Sequence, residues 1–209
     1  MPATPTLANA RLFYTDGSPY ARMARMALRE TGLIASVEEH ATTVRDPQST
    51  LLQHSPVGRV PSLVLSDGTT LVESFLIITW LDSQLEGQNL IPRTAHGLSA
   101  HGQALGLLDG IISWNRELRR PEEHRSQDLL NLEKVRAERI ADALEKAVAD
   151  GGFQTVDAAY IALSTALGYI DRRHTVWQWR ATRPALKKWM DAASQRPAFM
   201  ETVPQPSGI

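Results

Sequence analysis

Val60-Pro61-Ser62-Leu63-Val64-Leu65 followed by Ser66-Asp67-Gly68 and Thr69-Thr70-Leu71-Val72-Glu73-Ser74 is the stretch on which the fold turns. The first run is rich in β-branched and apolar residues, as a strand is. Asp67-Gly68 is a hairpin turn pair, because the turn needs backbone that glycine and aspartate tolerate. Thr69 to Val72 then returns as the partner strand. Ser74 predicts a helix cap, with Ile77, Ile78 and Leu81 on the buried side of the helix that follows. A hairpin closed by a helix is therefore the reference point for the rest of the first half.

Upstream, Arg11-Leu12-Phe13-Tyr14 is a short β-prone run and Asp16-Gly17 a turn. Ser18-Pro19 predicts a helix start, with serine at the cap and proline at the first helical position. Met23, Met26, Ala27 and Leu33 continue it at helical spacing and Gly32 stops it. Ser36 to Thr42 predicts a second, more polar strand, and Pro47 to Gln53 a short helix. The order β-α-β-α-β-β-α implies a mixed four-stranded sheet, which is the thioredoxin-like arrangement.

The periodicity lapses from Glu86 to Pro92, where Gly87, Gln88, Asn89 and Pro92 predict a linker. Beyond it helical spacing dominates. Ala100 to Leu118 carries Ala104, Leu107, Leu108, Ile111, Ile112 and Trp114. Leu129 to Val148 carries Leu132, Val135, Ile140, Leu144 and Val148. Asp157 to Ile170 is almost wholly apolar, as a central buried helix is. Arg183-Pro184 opens a last helix that stops near Arg196-Pro197. The expected organisation is an α/β domain over residues 1–86, a linker over 87–97 and an all-helical domain over 98–209.

The chain's 209 residues, 43% hydrophobic and 22% charged, are enough for one sizeable core or two small ones. A net charge of -1 supplies no uniform field for nucleic acid or an acidic membrane surface. No apolar run approaches the ~20 residues that span a bilayer. Met1 to Asn9 shows no basic-then-apolar leader pattern, so the expected location is cytoplasmic. The absence of cysteine excludes disulfides, thiolate metal sites, a cysteine nucleophile and a CxxC redox pair. Any thiol must arrive on a ligand. The six histidines form no HxxxH or HExxH pair, so no metal site is expected. GxxxxGK[ST] and GxGxxG are also missing.

Three stretches together resemble the cytosolic glutathione S-transferase family, of the bacterial serine type (theta- or tau-like). They are Ser18-Pro19-Tyr20-Ala21-Arg22, then Ser55-Pro56-Val57-Gly58-Arg59-Val60-Pro61, then Glu73-Ser74, ahead of a helical half of the right length. The resemblance implies a cis Val60-Pro61 bond, with the backbone of Val60 pairing with glutathione's cysteine. It implies that Ser74, at a helix N-terminus, holds the γ-glutamyl carboxylate and that Glu73 holds the ammonium. Arg59 stands where the family often has lysine and would meet the glycine carboxylate; Ser55 stands where it often has asparagine. Asp109 matches an acidic residue that reaches across a homodimer interface, with the Leu105/Leu108/Ile112 face beside it. Tyr160 replaces the aspartate that usually completes a capping box with Asp157.

Ser18 is the candidate for activating the glutathione thiol, with Tyr14 the competing donor and Tyr20 within reach. Tyr20, Trp114 and Tyr169 are candidate contacts for a hydrophobic electrophile, with Asn115, Arg116, Trp177 and Trp179 near them. Each has a purely structural alternative: Ser18 and Ser74 as helix caps, Pro61 as a strand-edge proline, Glu73, Arg59 and Asp109 as solvated charges, the aromatics as core. The function implied is conjugation of glutathione, a co-substrate rather than a cofactor, to a small electrophile. The alternatives are a glutathione-dependent peroxidase or isomerase on the same site, and a non-catalytic binding or assembly module. Missing cysteine argues against glutaredoxin-like variants.

Overall fold

Three strands meet in register at Phe13, Ser62 and Val72, and the first unit is built around that row. The computed structural model describes residues 6–87 and 89–204, so Met1 to Pro5 and the linker residue Gln88 lie outside the described residues. By its contacts the chain divides into two compact units, one running to Ile91 and resuming at Pro197, the other Pro92–Arg196.

In the first unit the strands are β1 (Ala10–Tyr14), β2 (Val37–Ala41), β3 (Ser62–Val64) and β4 (Thr70–Val72). They form one mixed sheet in the order β2-β1-β3-β4, with β1 and β2 parallel and the other pairs antiparallel. The helices are α1 (Pro19–Glu30) and α2 (Ser74–Asp82). This is the thioredoxin-like arrangement. Leu12, Met23, Met26, Leu63, Ile77, Ile78 and Leu81 are fully buried in its core. Phe13, Leu51 and Val64 form a second apolar cluster, with Val60 packed against it.

The helix expected over Pro47 to Gln53 is instead one 3₁₀ turn, Thr50–Gln53. Asp46 accepts the Gln48 N–H at 2.8 Å and so competes with helical bonding. Only Leu51 is buried there, while Leu52 is exposed, so no apolar stripe repeats along a second turn. A single buried leucine suffices to cover Phe13 and Val64.

Charge joins α1 to the sheet. Glu39 on β2 accepts from Arg25 at 2.8 and 3.2 Å and from Arg29 at 2.8 and 2.9 Å. Burial alone would raise the Glu39 carboxyl; the Arg29 and Arg25 hydrogen bonds outweigh it and hold the group down at about 2. Asp82, at the end of α2, accepts the N–H groups of Leu90 at 2.6 Å and Ile91 at 3.1 Å, tying down the start of the linker.

The second unit contains α3 (Ala95–Leu118), α4 (Gln127–Ala149), α5 (Ala158–Arg173) and α6 (Pro184–Ala193). Helix α5 is the central one: Ala158 through Leu167 are all buried. Asp157 caps it by accepting the N–H groups of Ala159 and Tyr160 at 2.9 and 3.0 Å. Tyr160 is a packing residue with its ring 4.7 Å from that of Trp189, so the cap stands without its usual reciprocal partner. Glu145 on α4 accepts the N–H groups of Ala185 and Leu186, capping α6 from a neighbouring helix. Arg183, almost fully buried, bonds Glu138 and Asp142.

Two expectations about this half change. Leu132 and Val135 face solvent, at 53% and 60% exposure, because the buried side of α4 runs through Leu130, Glu133, Ala137, Ala141 and Leu144. Leu108 and Ile112 are buried within the unit itself, so they offer no face to a second copy. The chain's end also differs from the expected 98–209 domain. Helix α7 (Pro197–Met200) packs on α1 and belongs to the first unit, held by side chains of Arg22 and Arg29.

Among the described residues no helix is long and apolar enough to cross a membrane, and no group of three His, Asp or Glu side chains is placed to hold a metal.

Candidate functional site

The strand register brings the three sequence stretches to one end of the sheet. Phe13 pairs with Ser62, and Ser62 with Val72. Following the antiparallel directions, the next row beyond them is Tyr14, Pro61 and Glu73, at strand spacings of ~4.8 Å. Ser18 follows four residues after Tyr14, at the start of α1, and Ser74 follows Glu73 at the start of α2. Two helix N-termini and a proline loop therefore converge on one edge.

Ser18 is the α1 N-cap in extended backbone (φ -85°, ψ 113°), with Pro19 at the first helical position. Its Oγ accepts the Ala21 N–H at 3.2 Å. A hydroxyl that accepts one bond still has its own proton to donate. That proton lies at the positive end of the helix dipole. Capping is thus shown, and it leaves the donor needed for an anionic sulfur.

Val60-Pro61 is a cis bond. Among the described residues, neither the N–H nor the C=O of Val60 takes a hydrogen bond. Both remain open for an extended backbone to pair with. The preceding loop is held by Gly58, in left-handed backbone at φ 61°, with its N–H donating to the Ser55 C=O at 3.2 Å. A Cβ on Gly58 would come within 3.1 Å of Leu52 Cδ2, on top of the backbone strain. Arg59 is exposed, while its C=O accepts the Ser62 hydroxyl at 2.8 Å. Ser55 is fully buried with its Oγ unpartnered.

Glu73 is the unexpected feature. It sits at φ 67°, ψ 122°, a region that costs a non-glycine residue about 1–3 kcal/mol. Glu73, not Ser74, is the N-cap of α2, and its side chain makes no capping bond. Ser74 is the first helical residue, buried, and among the described residues neither its N–H nor its hydroxyl takes a partner. The side chain of Glu73 makes no capping bond, so the Ser74 N–H at the positive end of α2 is left for an anion.

Tyr14 lies under the guanidinium of Arg25, whose Cζ is 4.0 Å from the ring centre. Tyr20, in the first turn of α1, is half-buried. The remaining candidates belong to the second unit. Asp109 is exposed on α3. Trp114 is buried edge-on against His174, with ring centres 4.3 Å apart. Asn115 donates to the Tyr169 hydroxyl at 3.0 Å, so that phenol is already engaged as an acceptor. Arg116 is exposed. Trp177 donates to Glu138 and Trp179 to Asp171, both at 2.8 Å, and both rings are buried as structural members of the unit.

Sequence reasoning gave no role to His174, Arg22 or the Glu39 pairs. His174 is 1% exposed with both ring nitrogens unpartnered, and burial lowers its pKa to about 4, so the ring is neutral near pH 7. No local pattern marks such a residue, because its environment is assembled from other helices.

A family model described as "Glutathione S-transferase, N-terminal domain" matches residues 12–89. A glutathione transferase family member from Pseudomonas fluorescens, solved with bound glutathione, is 32% identical; the match covers 95% of this chain and 100% of that one, with a TM-score of 0.85. A glutathione S-transferase from Methylobacillus flagellatus, also solved with glutathione bound, is 26% identical over 94% of this chain and 100% of that one, again with a TM-score of 0.85. The uncharacterized GST-like protein YibF of Escherichia coli is 28% identical over 193 residues, which is 90% of this chain and 95% of that protein. With sequence, sheet topology and near-complete coverage in agreement, the chain belongs to the glutathione S-transferase family.

Proposed function

We propose that the protein is a serine-type glutathione transferase that joins the glutathione sulfur to a small hydrophobic electrophile. The observation that carries this reading is the converging edge of the first unit. There an uncommitted Ser18 O–H, an unpaired Val60 backbone and the unpartnered Ser74 at the start of α2 lie at one end of the sheet. Two structural relatives hold glutathione, which supports assigning the same ligand to this edge.

In this reading Val60 pairs through its N–H and C=O with the cysteine of the tripeptide. Ser74 and the first turn of α2 receive the γ-glutamyl carboxylate, and Glu73 receives the ammonium. Arg59 supplies a cation for the glycine carboxylate. Ser18 donates to the sulfur and favours its ionised form. A charge-assisted hydrogen bond of about 1.5–3 kcal/mol lowers a thiol from about 8.5 by one to two units. The thiolate then attacks the electrophilic carbon, an S–C bond forms, and the leaving group departs with its electron pair. Tyr20, Trp114 and Tyr169 are the candidate contacts for the electrophile. The proposed setting is cytoplasmic detoxification, with no nucleic acid or membrane partner. A homodimer is also proposed, with Asp109 reaching towards a second copy. The solvent-facing Leu132 and Val135, one turn apart on α4, are better placed for its interface than Leu108 or Ile112.

The decisive experiment titrates the ultraviolet absorbance of the bound thiolate against pH in wild type and Ser18→Ala, alongside chlorodinitrobenzene turnover. The midpoint should rise by about one to two units and turnover at neutral pH should fall accordingly. Identical midpoints would leave Ser18 as a helix cap only and make Tyr14 the next group to replace.

A further inference from the structure

Helix α1 is gripped from outside by the far end of the chain. Arg22, one turn past Ser18, is 6% exposed despite its charge. Its Nε donates to Thr202 Oγ1 at 3.2 Å and its Nη2 to the Phe199 C=O at 2.9 Å. The guanidinium also lies over the Phe199 ring, 3.9 Å from its centre. Thr202 is buried and passes the bond on, its hydroxyl donating to the Ala198 C=O at 2.7 Å. Further along α1, Arg29 Nε reaches Glu201 at 3.0 Å. A buried guanidinium is costly unless its donors are matched, and here the matching groups come from a segment about 180 residues away.

The same residue touches the cap. The Arg22 N–H donates to the Ser18 C=O at 3.0 Å, closing the first turn of α1. Backbone and side chain of one residue thus connect Phe199–Thr202 to the Ser18 position.

We infer that Arg22 is a positioning residue for the reaction: the C-terminal segment Phe199–Thr202, by gripping its guanidinium, fixes the first turn of α1 and with it the direction of the Ser18 hydroxyl. This rests on the thiolate role proposed for Ser18. Hydrogen bonds to a sulfur anion are directional, and small misplacements of a catalytic donor are costly in rate. The segment is therefore a working part of the glutathione-binding unit, supplied by the opposite end of the chain.

The test uses full-length Thr202→Val, which keeps side-chain shape and removes the hydroxyl, and Arg22→Lys, which keeps charge and loses the planar fork. Each is titrated for the bound-thiol midpoint beside Ser18→Ala and the double variant Ser18→Ala/Thr202→Val. Thr202→Val should raise the midpoint by about half a unit and lower kcat at neutral pH about 3- to 10-fold. KM for glutathione should stay within about twofold, because the γ-glutamyl site is on α2. In the double variant the Thr202 change should add no further shift, since the hydroxyl it positions is gone. A purely structural clasp would instead lower the melting temperature and leave the midpoint unchanged. That result in Thr202→Val, with Ser18→Ala shifting as expected, overturns the inference and spares the thiolate reading. An unshifted Ser18→Ala overturns both. Should Arg22→Lys fail to fold, Thr202→Val alone decides.

Discussion

Replacing Glu39 with glutamine tests how α1 is held on the sheet. The carboxylate accepts four hydrogen bonds from Arg25 and Arg29 and is held at about 2, against an ordinary value of 4.5. That difference of 2.5 units corresponds to about 3 kcal/mol of folding stability at neutral pH. Breaking a buried pair by removing one partner gives a similar figure, about 3–5 kcal/mol. Glu39→Gln should therefore lose about 3 kcal/mol at pH 7, since an amide leaves two largely buried guanidinium groups without the carboxylate they share, Arg29 keeping only Glu201 and Arg25 only the more distant Asp16. The sign with pH follows from the lowered value. The unfolded chain binds a proton that the folded chain does not between 4.5 and about 2, so the stabilisation is complete above 4.5 and disappears as pH falls through 2. By pH 3 about three fifths of it is gone. Urea unfolding of wild type and variant at pH 7 and pH 3 should show the gap narrowing from about 3 to about 1 kcal/mol. A gap below about 1 kcal/mol at pH 7, or one that does not change with pH, refutes the reasoning.

Two further predictions concern buried or strained groups. Wild type should lose stability between pH 6.5 and about 4, as the unfolded chain protonates His174 before the folded one can; His174→Leu should flatten that slope in thermal melts, and equal slopes would show that the ring is not the source. Glu73→Gly should gain about 1 kcal/mol in stability by relieving the φ of 67° while losing about tenfold or more in glutathione affinity by calorimetry, and a variant that binds unchanged would remove Glu73 from the site.

Local chemistry was legible wherever a residue type imposes its own backbone. Ser18 with Pro19, Asp67 with Gly68, and Asp157 each act within a few residues, and each appears in the structure at the expected element. The cis bond at Val60-Pro61 also matches what the family resemblance implied. What escaped depended on tertiary surroundings. The 3₁₀ turn at Thr50–Gln53 carries one buried leucine where a helix would need a repeating stripe. Leu132 and Val135 have helical spacing but lie on the outer side of α4, and spacing alone does not say which side faces in. Glu73 occupies backbone that composition assigns to glycine, so its role as the cap was hidden behind the better capper beside it. The return of Pro197–Met200 to the first unit rests on Arg22 and Arg29, whose partners are 172 to 180 residues distant and leave no pattern in sequence.

The sheet also has a second end. The turn at Asp67-Gly68 joins β3 to β4 at the edge opposite the row of Tyr14, Pro61 and Glu73; within it Asp67 accepts the Thr69 N–H at 2.9 Å, and beside it Thr6 donates to Ser66 at 3.1 Å. Register between β3 and β4 is set by pairs that begin at Val64 and Thr70, the strand residues flanking this loop. Lengthening the loop beyond those pairs leaves the row at the far edge aligned, whereas one residue added between Pro61 and Val64 would shift every pair and reverse which side chains face the core. The hairpin tip is thus the place where a tag, an epitope or a reporter domain can be spliced into this protein with the ligand-binding edge left in alignment.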